Sequence, residues 1–170
     1  MKIFFFFMGL LALTLLAWQE GYRFNASSSM PSGIYRIETT SSIQRGDLVA
    51  VCLGGNYAIL AKERGYLRDG ICPSGVQPLL KFVAALEGDI VRIEKTGILI
   101  TPKGKNMGCL WSARQEKDRQ GRIITAQHIE GIVPQGESLL MTPHQGSFDG
   151  RYFGFVSLNT LTKVQPFFVF

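Results

Sequence analysis

Two segments of the sequence combine residue types that can carry out nucleophilic chemistry. The stretch "NASSSMPSGIYR" (25–36) holds three consecutive serines among turn-forming residues, which is typical either of a linker or of a site. Lys81 lies in the apolar run "PLLKFVAAL", in which both faces of a strand are apolar. A lysine buried there must be paired or lose its proton, and burial lowers a lysine pKa by up to about 3–5 units, into the range of a general base. Alternatively, the amine extends to solvent at the strand end.

A third segment, "GSFDGRYFG" (146–154), carries alternating polar residues. If the segment is a strand, Ser147, Asp149 and Arg151 share one face. Asp149 and Arg151 can then form a salt bridge, and Ser147 can hydrogen-bond to a neighbouring group. The alternative is an ordinary polar strand face. The sequence contains no GxSxG motif, phosphate-binding loop or dinucleotide fingerprint, so these three segments are the candidates for chemistry.

The elements that must position these residues follow a period of two with turns between them. Strands are predicted within residues 33–38, 45–53, 78–94, 97–104, 136–143 and 150–158. Glu87-Gly88-Asp89 divides 78–94 into a hairpin, and residues 57–67 form the one convincing short helix. The sequence therefore predicts a mainly β fold with one short helix and a small polar insertion at about residues 100–130.

The N-terminal segment "MKIFFFFMGLLALTLLAWQEG" is apolar, and Ile3 to Trp18 carry no charge over 16 residues. A membrane-spanning helix needs about 20 residues, with about 17 as the lower limit. Leu15 is large for the position two before a cut at Ala17, which favours an uncleaved anchor over a secretory signal. Lys2 places the N-terminus in the cytoplasm, so the remainder is exported. We therefore predict a membrane segment at 1–18 and a catalytic domain at 19–170.

Composition narrows the function classes. The formal net charge is +5 and hydrophobic residues make up 46% of the chain, which indicates an ordered domain. Basic residues are not interleaved with aromatic ones in a concentrated patch, so we predict no nucleic-acid partner. The two histidines are isolated and no CxxC occurs, which predicts no metal and no cofactor.

The three cysteines of an exported chain allow at most one disulfide. Cys52 follows the strand "RGDLVAV" and Cys72 follows the short helix, so a strand–helix return brings them together. We predict a Cys52–Cys72 disulfide, which requires Cα atoms within about 7 Å, and a free Cys109.

Taken together, these features resemble the type I signal peptidase (S26) family of serine proteases with a Ser-Lys dyad, and within it the TraF-type conjugative transfer peptidases. The matching motifs, in family order, are "SMP", "RGDLVAV", "KFVAALEGD" and "SFDGRYFG". Pro31 lies two residues after Ser29 and three after Ser28, and the TraF-type box has the shorter spacing, which favours Ser29. Glu87 replaces the proline that commonly stands in the Pro-Gly-Asp turn of this family.

The resemblance implies an antiparallel β-sheet or barrel catalytic domain and a role for each site residue. Ser29 is the nucleophile and Lys81 the general base. Ser27 and the Ser29 backbone N–H supply the oxyanion donors, Ser147 orients the lysine amine, and Asp149 with Arg151 braces the adjoining strand.

The resemblance also implies a substrate and a location: a membrane-inserted pilin-like protein with small residues before the cut, processed at the bilayer of a bacterial inner membrane with the catalytic domain in the periplasm. The acyl-enzyme is released by water or by a peptide amine, which would give a circular pilin. Three alternatives remain open at this point: a general signal peptidase, a non-catalytic assembly factor of a transfer or pilus system, and a hydrolase using His144 as base with Asp149.

Overall fold

The computed structural model describes residues 2–27, 29–39 and 42–170, and strands dominate its regular structure. The helices are α1 (Lys2–Gln19), α2 (Gly55–Glu63) and α3 (Gly150–Phe153). The strands are β1 (Tyr22–Asn25), β2 (Gly33–Ile37), β3 (Leu48–Val51), β4 (Leu79–Leu86), β5 (Ile90–Glu94), β6 (Gly97–Thr101), β7 (Cys109–Ser112), β8 (Gly131–Ile132), β9 (Glu137–Met141), β10 (Phe155–Ser157) and β11 (Leu161–Val169). The mainly β fold class is confirmed.

The described strands form two antiparallel sheets. One has seven strands in the order β1-β2-β11-β3-β4-β9-β10, and the other has four in the order β7-β6-β5-β8. β4 lies inside the larger sheet, paired with β3 on one side and β9 on the other. This position agrees with the apolar composition of β4, because a central strand whose two faces are both packed against other residues is shielded from water.

Apolar clusters fill both sides of the larger sheet. One cluster packs α2 against β3 and β4 through residues that include Val49, Ala58 and Val83. A second joins the two sheets through residues that include Ala85, Ile98 and Leu139. Burial of these side chains fixes the register of β4, because a slip by one residue would exchange its two faces. Lys81 is thereby held opposite Val49 in the middle of the sheet.

The N-terminal helix α1 has the length and composition of a membrane-crossing segment. Its 18 residues extend about 27 Å, close to the hydrocarbon thickness of about 30 Å, and none of its side chains is buried against the rest of the chain. It is the one helix of the described residues that meets these criteria, as an anchor or as a signal sequence. The guanidinium of Arg23 lies 3.5 Å from the centre of the Trp18 ring and donates to the Trp18 carbonyl oxygen at 2.7 Å, which ties the helix end to β1.

A disulfide joins Cys52, just after β3, to Cys72 in the loop beyond α2. Their Cα atoms are 5.4 Å apart, within the limit set from the sequence, and Cys109 is a free, exposed thiol. The Ser74 hydroxyl adds a 2.6 Å hydrogen bond to the carbonyl oxygen of Leu53. The loop that leads from α2 into β4 is therefore fastened to the strand on the other side of the helix.

The sequence prediction of a single strand face for Ser147, Asp149 and Arg151 is wrong. The chain turns at residues 144–149 and then forms the short helix α3 before β10 begins. The Asp149 carboxylate caps α3 by accepting a hydrogen bond from the Arg151 backbone N–H at 3.1 Å. Gly150 sits so close to β9 that an added Cβ would lie 2.7 Å from the Leu140 carbonyl oxygen. The cap on α3 and the close packing of Gly150 against β9 therefore determine the local backbone structure, and the alternation of polar residues in the sequence does not.

The turn Glu87-Gly88-Asp89 joins β4 to β5, as predicted. The buried Asp89 carboxylate accepts hydrogen bonds from the backbone N–H groups of Leu86 and Lys103, each at 2.8 Å, and forms a salt bridge with Arg45. Gly88 adopts φ +83°, the left-handed conformation that glycine tolerates. A glutamate in place of the family's proline thus leaves the turn intact, and Asp89 links it to the start of the "RGDLVAV" strand.

Candidate active site

The loop between β1 and β2 presents Ser29 and is fixed by hydrogen bonds within its own hairpin. The Asn25 side-chain amide and the Tyr35 hydroxyl both donate to the Pro31 carbonyl oxygen, at 3.0 and 2.8 Å. The Ser27 backbone N–H donates to the Asn25 side-chain oxygen at 3.2 Å. Because Tyr35 is buried, its hydroxyl anchors the loop to the core of the domain. These hydrogen bonds therefore fasten both ends of the loop, at Asn25 and at Pro31, to the hairpin. Ser28 lies outside the described residues.

The structure brings Ser29 and Lys81 together although 52 residues separate them. The Lys81 Nζ atom donates a hydrogen bond to the Ser29 Oγ atom at 3.1 Å. Lys81 is only 1% exposed, whereas Ser29 is half-buried and lines a cavity open to a substrate. A hydroxyl within hydrogen-bond reach of an amine is the arrangement that base-assisted nucleophilic attack requires.

Burial changes the acidity of Lys81 in the direction that a base needs. It lowers the pKa of the amine from the ordinary 10.5 to about 8. Nearby Asp149 raises this pKa and Arg151 lowers it, but both effects are smaller than that of burial. Near neutral pH about a tenth of the molecules then carry a neutral lysine, which can accept the Ser29 proton.

Asp149 and Arg151 form a fully buried ion pair behind the lysine. The Arg151 guanidinium donates to the Asp149 carboxylate at 2.6 Å, and the Thr142 backbone N–H donates to the same oxygen at 3.1 Å. Arg151 also donates to the carbonyl oxygens of Ser112 and Thr142 and to the Ser112 hydroxyl. Burial raises the pKa of Asp149, while Arg151 and Lys81 oppose that rise. The two opposite charges compensate each other, and their hydrogen bonds to Thr142 hold the segment that follows β9 in place.

Ser112 and Thr142 complete this network and were missed in the sequence. Ser112 lies in β7, inside the stretch interpreted as a polar insertion, and no spacing connects it to Arg151. Thr142 directly follows β9, where a single polar residue after an apolar strand gives no distinctive signal. A buried arginine requires several acceptors, so the one available indication was Arg151 itself.

Two of the predicted supporting serines line the same cavity as Ser29 and Lys81. The hydroxyl oxygens of Ser27 and Ser147 are both buried and make no hydrogen bond with the rest of residues 2–27, 29–39 and 42–170. The Ser27 hydroxyl is thus a buried donor without a partner in these residues, and its donation to a substrate oxygen stays a prediction. A hydrogen bond from Ser147 to the Lys81 amine is not formed in this structure, and its orienting role stays a prediction.

The cavity that contains Ser29 has a volume of about 690 Å³. Lys81 and Ser147 line it together with apolar and aromatic residues, among them Leu79, Phe148 and Tyr152. The Phe148 ring lies 5.8 Å from the Tyr152 ring in a stacked arrangement. All of residues 64–68 and most of residues 115–124 also line the cavity. The site is thus a cavity within the volume range typical of ligand pockets, and it contains both Ser29 and Lys81.

His144 lines the cavity but lacks the partners of a catalytic base. Its side chain is exposed, and within the described part of the chain it makes no hydrogen bond to Asp149. The oxygens of Asp149 are instead occupied by Arg151 and Thr142. This geometry favours Lys81 over His144 as the base.

Comparison with known proteins assigns the chain to a family. The family model described as "Signal peptidase, peptidase S26" matches residues 1–170. The chain belongs to the peptidase S26 signal peptidase family. It is 39% identical over 142 residues to a probable conjugal transfer protein TraF of Sinorhizobium fredii, covering 81% of this chain and 71% of that protein.

Two further relatives extend over more of the chain. A conjugal transfer protein TraF of Agrobacterium tumefaciens is 36% identical over 162 residues, covering 94% of this chain and 89% of the relative. A plasmid transfer protein TraF of Escherichia coli is 33% identical over 162 residues, covering 92% and 88%. No solved structure matches the chain. The resemblance to the S26 family and its TraF-type members is confirmed.

Proposed function

We propose that this S26 family member is a serine endopeptidase in which Ser29 is the nucleophile and Lys81 the general base. The observation that carries the proposal is the 3.1 Å contact between the Ser29 hydroxyl and an amine whose pKa burial lowers to about 8. For a lysine with a purely structural role this burial would only cost free energy, because a buried site disfavours the charged ammonium form.

The reaction begins when neutral Lys81 accepts the Ser29 proton while Oγ attacks the peptide carbonyl carbon. The negative charge on the carbonyl oxygen is stabilised by the Ser29 backbone N–H and the Ser27 hydroxyl. The protonated lysine then gives its proton to the leaving amine as the C–N bond breaks, which leaves an acyl-enzyme on Ser29. Deacylation repeats the cycle with an incoming nucleophile, whose proton passes to Lys81.

The substrate that we propose is an exported protein of a conjugative transfer system, most simply a pilin, cut after a small residue. The support is the similarity to proteins named for conjugal and plasmid transfer. Helix α1 would anchor the enzyme in the inner membrane with the catalytic domain in the periplasm. Ser29 lies 11 residues after Trp18, at most about 40 Å of extended chain, so the site stays close to the bilayer in which a pilin is held.

Mass spectrometry of a co-expressed candidate pilin tests this function. The wild-type protein should yield a processed pilin, and Ser29→Ala and Lys81→Met should each yield only the unprocessed one. Ser32→Ala, in the same loop but outside the cavity lining, is the matched control and should retain processing. Ser28→Ala should retain much of it, because the spacing to Pro31 favours Ser29 as the nucleophile.

The same spectra decide how the acyl-enzyme is released. A product lighter than the linear form by one water shows attack by a peptide amine and a closed ring, whereas the linear mass shows hydrolysis. Processing that persists in Ser29→Ala would contradict the dyad. Absence of processing by the wild type, together with binding of pilin, would support a non-catalytic assembly factor instead. Equal cleavage of an arbitrary preprotein would indicate a general signal peptidase.

A further inference from the structure

Five basic residues line the active-site cavity. We call them together the basic wall, and they are Arg64, Arg68, Lys117, Arg119 and Arg122. The one acidic residue lining the cavity is Asp118, and its carboxylate is bound to Arg122 at 2.7 Å. The proposed chemistry uses none of these residues.

The basic wall is built on a turn that Asp118 organises. The Asp118 carboxylate accepts hydrogen bonds from the backbone N–H groups of Gln120 and Arg122, each at 2.9 Å, and from the Tyr66 hydroxyl at 2.6 Å. Although burial alone would raise the pKa of Asp118, these bonds hold it below its usual value. The turn is therefore a fixed structure, and its single carboxylate is an internal anchor that is already occupied.

Hydrogen bonds also connect the turn to the end of α2. The Arg64 guanidinium donates to the Ile123 carbonyl oxygen at 2.7 Å, and the Arg122 guanidinium donates to the Arg64 carbonyl oxygen at 3.1 Å. Segments that are more than fifty residues apart in the chain thus present their positive charges to one cavity. Arg64 and Arg122 serve this scaffold and are poor sites for a charge-removal test.

The remaining three members of the wall are free to bind an anion. Arg68, Lys117 and Arg119 are exposed, and none forms an ion pair with any part of the chain that the structure describes. Asp69, Glu116 and Asp118 are their neighbours in the chain, but Asp69 is paired with Lys62 and Asp118 with Arg122. The cavity lining therefore carries an excess of positive charge, which a neutral peptide leaves uncompensated. Guanidinium groups bind carboxylates in a planar, bidentate manner that suits an acidic side chain or a terminal carboxylate.

We propose that the basic wall binds an acidic segment of the substrate polypeptide within a few residues of the bond to be cut. This inference rests on the proposed peptidase function and adds a second specificity element to the small residue. A polypeptide is favoured over a lipid headgroup because the wall lines the cavity that holds Ser29 and Lys81, which the substrate chain must enter. The acidic segment would align the scissile carbonyl with Ser29 and exclude neutral, unstructured chains.

Binding measured without turnover separates this inference from the peptidase function. Full-length Ser29→Ala protein in detergent is titrated against fluorescent peptides that carry alanines at the first and third positions before the cut and two glutamates either before or after it. Matched peptides carry glutamine instead. At about 0.1 M salt a glutamate peptide should bind at least about threefold more tightly than its glutamine counterpart in one of the two placements. At about 1 M salt, where the Debye length is about 3 Å, the difference should disappear.

Two variants that each lose three positive charges show whether the basic wall causes the preference for glutamate. Replacing Arg68, Lys117 and Arg119 together with glutamine should abolish the preference for glutamate. The same change at three exposed basic residues of the smaller sheet and its loops should leave the preference intact; these are Arg92, Lys95 and Lys105.

Two results would overturn the inference while leaving the peptidase function standing. One is equal affinity for glutamate and glutamine peptides in both placements, combined with Ser29-dependent cleavage of a neutral peptide by the wild type. The other is an unchanged glutamate preference in the wall variant that has instead lost binding to vesicles of anionic lipid, because the wall would then face the bilayer. Loss of cleavage of every peptide, with the glutamate preference retained, would refute the peptidase function and leave the acidic-segment site.

Discussion

Replacing Lys81 by methionine separates its proposed catalytic role from its effect on stability. The variant should lose turnover, because methionine cannot accept a proton. It should also be more stable than the wild type at pH 7, since the wild type buries a charged amine there. The pKa of Lys81 falls from the ordinary 10.5 to about 8 on folding, which corresponds to about 3 kcal/mol.

The pH dependence of the free energy of unfolding is determined by whether the folded and the unfolded chain each hold the Lys81 proton. Below about pH 8, Lys81 is protonated in both the folded and the unfolded chain, and the folded state carries the full penalty of the buried charge. Between about 8 and 10.5 the folded chain releases the proton first, so the free energy of unfolding of the wild type rises with pH by about 3 kcal/mol from this group. The methionine variant lacks this contribution, and its advantage over the wild type should vanish towards pH 10.5.

Urea unfolding of both proteins at a series of pH values measures this difference. Other titrating groups cancel in the comparison, and the packing difference between methionine and neutral lysine is constant with pH and costs under about 1.5 kcal/mol. Lys95→Met removes a lysine from the surface and serves as the control. Parallel stability curves for wild type and Lys81→Met would show that the amine is not desolvated in the folded state, and the assignment of Lys81 as a neutral base would fail with them.

Further predictions concern the groups around the dyad and the disulfide. Ser27→Ala should lower kcat by about 10²–10³ with little change in KM, as measured on a pilin peptide, because the proposed mechanism uses its hydroxyl only on the developing oxyanion. Arg151→Gln should move the pH–rate profile to higher pH and Asp149→Asn to lower pH; unchanged profiles would contradict their influence on Lys81. Replacing Cys52 and Cys72 with serine should cost about 3 kcal/mol in urea unfolding, and an unchanged midpoint would argue against the bridge.

The parts of the site that lie in regular strands could be predicted from the sequence. The apolar run around Lys81 indicates a buried strand because both of its faces are apolar, and it becomes β4 between two neighbours. The Cys52–Cys72 pair follows from a strand and a helix that return on one another. In each case the local sequence pattern and the packing of the folded chain favour the same structure.

Two parts of the cavity could not be predicted in this way. The alternation around Asp149 suggests a strand, but its carboxylate caps a helix turn, and a cap competes with a strand through a hydrogen bond that periodicity does not reveal. The turn at Asp118 lies in a stretch without a hydrophobic period, and it is fixed by contacts to Tyr66 and Arg64, both more than fifty residues away. Side chains that fold a loop by polar contacts leave no spacing signal in the sequence.

The segment that was wrongly predicted as a strand also supplies the two charged groups that influence the pKa of Lys81, the proposed base. An unpaired carboxylate beside Lys81 would stabilise the ammonium form and suppress the base, and an unpaired guanidinium would be a second buried charge with no partner. Because α3 places Asp149 and Arg151 in one buried pair, their effects on the pKa of Lys81 oppose each other, and burial, the largest influence, lowers it. The cap of a four-residue helix therefore allows a polar network to brace the site while the pKa of Lys81, on which the proposed chemistry depends, stays below its ordinary value.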